Sequence, residues 1–330
     1  MRVSRVNPMH DHLRKIINPL PRALFKRIHP SDSLVLAAKK NLIVQFRQLL
    51  RHEKGTYTGQ EMEDLHQMRV ATRRMRVCLR YFSSVFSRNE AERMQEDLKW
   101  LAGLLGGVRD KDTFLIFLET IEPEILKRDA EHFHQVREEL LEQRRKKLEA
   151  LRRAMEEKRY RLMKKILFRA LSTPQRKPSS KLIVEETLPR ILYRIFRKTF
   201  RPLQENEETP QALHKCRIRC KRLRYVCEFF QSCYTRKIMT LIHDLKSVQD
   251  ILGCWHDAVR DIDFLQTTVG TPAVCEHGEA EPHPAGAVMQ RLQEQKEDSI
   301  KAFDKKWKEM NGTAYRKLAR KVIRKGIRGA

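Results

Sequence analysis

The sequence has no run of eighteen uncharged apolar residues, so no membrane-spanning helix is expected. Its opening, M-R-V-S-R-V-N-P, lacks the apolar stretch of a signal peptide. A cytoplasmic location is therefore the expectation. None of the seven cysteines forms a C-x-x-C pair, and most fall inside helical patterns, where a free thiol acts as a small apolar side chain. That usage suits a reducing compartment rather than a disulfide framework. Only 12 glycines and 7% aromatics occur in 330 residues, while long stretches are rich in Ala, Leu, Glu, Lys, Arg and Gln. This mix points to an all-α chain. Also missing are a G-x-x-x-x-G-K-[ST] loop and an H-E-x-x-H pair. Cys275, His277 and His283 lie close in a Gly/Pro/His-rich stretch but lack a fourth ligand at suitable spacing, so neither metal nor cofactor is expected.

What the chain has in abundance is positive charge. The formal charge is +26, and self-repulsion of that size is offset most simply by a polyanionic partner. Nucleic acid, an anionic membrane surface and a phosphate polymer all qualify on charge alone.

Residues 1–30 are basic and broken by four prolines, and read as an N-terminal arm. Helices are predicted from Ser31-Asp32 to about Leu50, then, after a loop at 53–60, to Phe82 or Phe86. A third spans about 89–105, ending at Gly106-Gly107, with Asp112-Thr113 as the next cap. A charged stretch covers about 130–169, and residues 172–181 read as a linker. Further helices are predicted at about 185–203, from Gln211, at 235–252 before a turn at Gly253, and at 287–310. Loops are expected at 204–210 and 267–286, and residues 311–330 form a basic tail.

The order of elements recurs because the sequence does. L-H-Q-M-R-V-A-T-R-R-M-R-V-C-L-R-Y-F at 65–82 aligns without a gap on L-H-K-C-R-I-R-C-K-R-L-R-Y-V-C-E-F-F at 213–230. Six of the eighteen positions are identical. L-K-W-L-A-G-L-L-G at 98–106 aligns on L-K-S-V-Q-D-I-L-G at 245–253, with an offset of 147 against 148 for the first pair. Two matches in register argue for an internal duplication, with repeats at 31–171 and 182–310.

Each repeated helix carries two stripes. Leu65, Met68, Thr72, Met75, Leu79 and Phe82 recur at three and four, as do Leu213, Cys216, Cys220, Leu223, Cys227 and Phe230. These are the faces expected in the core. One residue further round run His66, Arg69, Arg73, Arg76 and Arg80, a line about 21 Å long. His214, Arg217, Lys221 and Arg224 repeat it, with Glu228 where the first copy has Arg80. Arg74 and Arg222 add charge beside the stripes. A charged stripe is ordinarily a solvated face, but solvated faces mix signs, because like charges at i,i+4 repel. Residues 130–160 mix them; the two stripes do not. The pattern favours an external anion. Arginine suits phosphate through its planar, permanently charged fork. The paired histidines read equally as phosphate donors or as structural hydrogen-bonders.

At these residues the chain resembles the CHAD family, the conserved histidine α-helical domain. The L-H-x-x-R-x-x-x-[RK]-R-x-R core, present twice, carries the resemblance. So do L-G-G-V-R-D at 105–110 and L-G-C-W-H-D at 252–257, the second with His256 in place of arginine. The resemblance, over about 31–310, implies two pseudo-symmetric four-helix bundles around a central basic cavity that binds inorganic polyphosphate. It implies contacts from His66, Arg69, Arg73, Arg76, His214, Arg217, Lys221 and Arg224, with Arg74, Arg80 and Arg222 beside them. Lys39, Arg190, Arg194 and Arg197, on the preceding helices, are further candidates by charge. Asp110 and Asp257 read as structural anchors pairing with an arginine. Some CHAD domains are fused to a triphosphatase that needs an acidic E-x-E-x-K strand; this sequence has none, so a non-catalytic binder is expected. RNA or DNA in the same groove is the alternative, but the stripes carry no exposed aromatics for stacking. A membrane-surface role for residues 10–28 and 312–327 is a third reading. Association with polyphosphate granules is the corresponding expectation for location.

Overall fold

The computed structural model describes residues 20–125, 130–173, 182–201, 210–268 and 286–327. The expected arm up to residue 19, most of the 172–181 linker, the break at 204–210 and the loop with Cys275, His277 and His283 lie outside these residues. The described part holds ten α-helices: α1 (Leu34–Thr58), α2 (Met62–Tyr81), α3 (Arg88–Ile125), α4 (Ala130–Glu156), α5 (Lys158–Ser172), α6 (Val184–Thr199), α7 (Pro210–Phe229), α8 (Ile238–Thr268), α9 (Gly286–Asn311) and α10 (Thr313–Lys325). No helix among the described residues is long and apolar enough to cross a membrane.

Each half packs in the same order. In the first, α1 packs on α2, α2 on α3, α3 on α4, and the short α5 closes against α1, α3 and α4. In the second, α6 to α10 repeat every one of these pairings. Three contacts between the halves join counterparts: α1 with α6, α2 with α7 and α3 with α8. Phe82 and Phe230, counterparts at the ends of α2 and α7, meet with ring centroids 5.4 Å apart. Both apolar stripes are buried as expected, and all twelve residues are at most 5% exposed. A second, smaller core lies where α3 and α4 meet α8 and α9; there Phe114 packs edge-on against Phe264.

Several predicted boundaries move, most of them toward longer helices, while α6 stops at Thr199, short of the expected 203. α1 continues through the expected loop at 53–60 as far as Thr58. Gly55 allows it, because a Cβ there would sit 1.7 Å from the Asp64 carboxylate on α2. Gly59 then ends the helix with φ 68°, a left-handed cap that favours glycine. Asp32 does not cap α1; Ser33 does, its Oγ accepting from Leu36 N at 3.2 Å, while Asp32 pairs with Lys40. α3 runs straight through Gly106-Gly107, and α8 through Gly253. A helix-interior glycine costs about 1 kcal/mol relative to alanine. The buried Leu98, Leu101, Leu105 and Val108, and Leu245, Val248 and Leu252, outweigh it. Asp112 caps nothing: it is fully buried and accepts from Arg144 Nε at 2.6 Å, tying α3 to α4. The charged 130–169 stretch is two helices, with Glu157 extended between them.

The stretch read as a basic tail contains α10. Its apolar face, Ala319, Val322 and Ile323, is buried. Tyr234 Oη donates to the Ile323 carbonyl at 3.1 Å, and Tyr315 Oη donates to Asp244 at 2.8 Å.

Candidate polyanion-binding site

α2 and α7 are in contact, with Arg73 reaching Tyr225, Arg74 reaching Glu228 and Phe82 meeting Phe230, so the two basic stripes converge on one seam. At its middle lie Arg69 and Arg73 from α2 with Arg217 and Lys221 from α7. These are two pairs of counterparts, each offset by 148. All four are partly buried. The cost of gathering them shows in their titration. Burial, then Arg73, lower Arg69 to about 10. Burial, then Arg73, Arg217 and Arg69, bring Lys221 down to about 6. Burial also lowers Arg217. The Nε–H groups of Arg76 and Arg217 are buried with no hydrogen-bond partner among the described residues. A buried donor left unpaired typically costs about 1–3 kcal/mol. The fold therefore holds a concentrated, desolvated block of donors and charge that its own acids do not satisfy.

The CHAD domain profile matches residues 42–266. The chain belongs to the CHAD family. Polyphosphate binding is a known property of that family. The CHAD domain from the plant Ricinus communis is similar to this chain at 23% identity and a TM-score of 0.58, covering 93% of this chain and 96% of that one. PptA from Streptomyces chartreusis is similar at 16% identity and a TM-score of 0.65, covering 82% and 98%. No curated protein matches.

The two ends of the CHAD seam differ because position 80 is arginine and its counterpart, 228, is glutamate. At one end Glu228 takes a hydrogen bond from Arg74 Nη2 at 2.7 Å and lies 3.1 Å from Arg224 Nη1. Arg74 and Arg224 also lie over the Tyr225 ring, at 5.3 and 5.0 Å from its centroid. The Tyr225 hydroxyl accepts from Arg73 Nη1 at 3.3 Å. Arg74 and Arg224 are thus committed internally. At the other end, Arg80 and Arg73 add to burial in lowering Arg76, and Arg80 adds to burial in lowering Arg222. No ion pair joins Arg76, Arg80 or Arg222 to another described residue. The seam is neutralised at the Glu228 end and open at the Arg80 end. Glu228→Gln is expected to raise affinity for a polyanion about threefold to tenfold, the effect of one nearby unit charge of roughly 1 kcal/mol. A binding titration of the two proteins checks this.

The histidines sit at the third margin. Burial, then Arg109, lower His66; burial, then Arg217, lower His214. His256 occupies the place of Arg109 in the second half, and its ring lies 5.1 Å from that of His214. Burial and Arg217 bring it down to about 4. All three are therefore neutral at pH 7 and act as hydrogen-bonding groups rather than charges.

Asp110 and Asp257 are mid-helix rather than in turns, and both pair with arginine as expected. Arg260 reaches both at 3.3 Å, and Asp110 lies 3.7 Å from Arg69. Arg260 was not singled out by the sequence, since its counterpart in the first half is Thr113 and no repeat marks it. Its guanidinium donates to Thr113 Oγ1 at 3.0 Å and to the buried Asp261 at 2.7 Å, joining α3 to α8 under the seam. Burial pushes Asp261 up to about 7.

Four weaker candidates leave the seam. Lys39 is buried, and its ammonium donates to the carbonyls of Leu171 and Thr173, at 3.3 and 2.5 Å. It caps the end of α5. Arg190, Arg194 and Arg197 line a cavity between α6 and α10 that shares no residue with the seam. The helical period accounts for this: the buried face of α6 is taken by Leu188, Leu192, Ile195 and other apolar residues. Its charged face turns elsewhere.

Holding Lys221 in the seam weakens the unliganded fold. An unfolded lysine titrates near 10.4, so the folded chain binds fewer protons at this site. The resulting penalty is complete below pH 6 and disappears as pH rises past about 10. Lys221→Met is therefore expected to raise the thermal midpoint at pH 7.5 by roughly 1–3 °C while weakening polyanion binding. A circular-dichroism melt checks the first part. An ordinary solvated lysine would give no gain.

Proposed function

We propose that the protein binds inorganic polyphosphate along the α2–α7 seam, without chemistry of its own. The observation that carries this is the central cluster of Arg69, Arg73, Arg217 and Lys221, gathered and desolvated with donors unpaired. A linear polyanion lying from that cluster toward Arg76, Arg80 and Arg222 offsets the repulsion and accepts the free N–H groups. Phosphate oxygens match the guanidinium forks. A chain with this seam follows polyphosphate wherever the polymer accumulates, granules included.

Nucleic acid is the second reading, and Tyr225 argues against it. Tyr225 is 2% exposed and flanked by Arg74 and Arg224, so it offers no face for a base to stack on. The test is a competition at 150 mM salt, with labelled long-chain polyphosphate against single-stranded RNA and duplex DNA at equal phosphate. Polyphosphate is expected to win by about a hundredfold. Equal competition by RNA or DNA makes the seam a general polyanion groove.

A further inference from the structure

The cavity between α6 and α10 has a volume of about 840 Å³. From the α6 side, Arg190, Arg194, Arg197 and Arg201 line it at intervals of four, three and four, with Lys198 beside them. From α10 come Arg316, Arg320 and Arg324, at intervals of four. No acidic residue lines it, and none of these seven arginines makes an ion pair with a described residue. Like charges so spaced repel along each helix, and here two such rows face each other. α10 is nonetheless held firmly by its buried apolar face and by the Tyr234 and Tyr315 hydroxyls. The arginines are thus presented on a fixed support. It stands apart from the seam, and its α10 side lies outside residues 42–266.

We propose that this cavity is a second anion site, which takes a compact, multiply phosphorylated ligand independently of the seam. Three observations select that chemistry. Eight positive side chains and no carboxylate call for a ligand of several negative charges, and arginine forks favour phosphoryl oxygens over other anions. The volume lies in the range of small-molecule sites, so the occupant is a discrete molecule rather than a flat surface. Of the aromatic rings in the lining, Phe196 and Phe200 are buried in the core, and Tyr193 is already engaged by Arg324 at 5.1 Å and Arg320 at 5.9 Å, which disfavours a nucleobase. A short condensed phosphate and a polyphosphorylated ring share this chemistry. The inference does not depend on what the seam binds.

The experiment is calorimetric titration of the full chain with inorganic tripolyphosphate and, separately, with inositol hexakisphosphate. Expected is tight binding of at least one probe, weakened at least tenfold by the Arg194→Gln, Arg320→Gln pair. The Arg73→Glu, Lys221→Glu pair should change it less than threefold. The tighter probe tells a condensed chain from a phosphorylated ring. If the glutamine pair does not fold, the Arg194→Lys, Arg320→Lys pair replaces it, with the loss arising from the missing forks. Three results overturn the proposal: neither probe binds, the pocket variants bind as wild type, or the seam variant loses the probe as well. Failure of the seam reading is seen separately, as unchanged long-chain polyphosphate binding by the seam variant.

Discussion

Replacing Arg73 and Lys221 together with glutamate is expected to cut polyphosphate affinity by two to four decades, roughly 3–6 kcal/mol at 1.4 kcal/mol per decade. That range is the loss of two charge-assisted contacts, and the two introduced carboxylates push toward its upper end. The helical content should be unchanged and the melting temperature no lower. Both residues sit among Arg69, Arg76 and Arg217, where a carboxylate meets mainly cations, with Asp257 the carboxylate that faces Lys221. A solvated face would behave differently, losing neither affinity nor repulsion. A structural role would show as unfolding. Affinity by fluorescence titration and melting by circular dichroism, on the same preparation, separate the three cases.

The second large effect is on pH. Lys221 titrates at about 6 in the unliganded protein, so it is mostly neutral at pH 7.5. A polyanion favours its charged form, so binding takes up a proton. Affinity is then highest below pH 6 and falls as pH rises toward the value Lys221 has in the complex. Between the free and the bound value the fall approaches tenfold per pH unit. The other groups around the seam act in the same direction. His66 and His214 gain charge only as pH falls, and Asp261, pushed up to about 7, becomes negative as pH rises. Asp257, which faces Lys221, is the nearest carboxylate to oppose the lowering. Lys221→Arg keeps the charge at all pH values and should remove most of the dependence between pH 6 and 8. Calorimetry in two buffers of different ionisation enthalpy reads the proton uptake directly. Uptake near zero in the wild type, or equal in Lys221→Arg, contradicts this assignment.

The twelve residues of the apolar stripes were readable in the sequence because burial follows the helical period so strictly there. The same period, one residue on, marked Arg69, Arg73, Arg217 and Lys221, and the offset of 148 placed them opposite one another. Helix ends were the weak point. Gly106, Gly107 and Gly253 carry the local mark of a stop, but neighbouring leucines buried by tertiary packing continue the helices. Lys39 and the α6 arginines are candidates by charge and by predicted proximity to the stripes. Charge does not say which way a helix face turns; that depends on packing against α5, α7 and α10. Arg260 was invisible for the opposite reason, because its role comes from three carboxylates brought together on α3 and α8 and its counterpart is a threonine. The repeat showed Glu228 where the first copy has Arg80, but that the substitution silences one end of the seam became visible only with Arg74 beside it.

The measurement closest to the central claim is the salt dependence of long-chain polyphosphate binding, taken between 50 and 200 mM. Seven cations of the seam, Arg69, Arg73, Arg76, Arg80, Arg217, Lys221 and Arg222, give a slope of about −5 in log K against log salt, at roughly −0.7 per contact. Affinity then falls by about three decades over that range. Neutralising Arg73 and Lys221 with glutamine should bring the slope to about −3.5. A wild-type slope near −5 that the variant does not change would place the phosphate contacts elsewhere on the molecule and contradict the account.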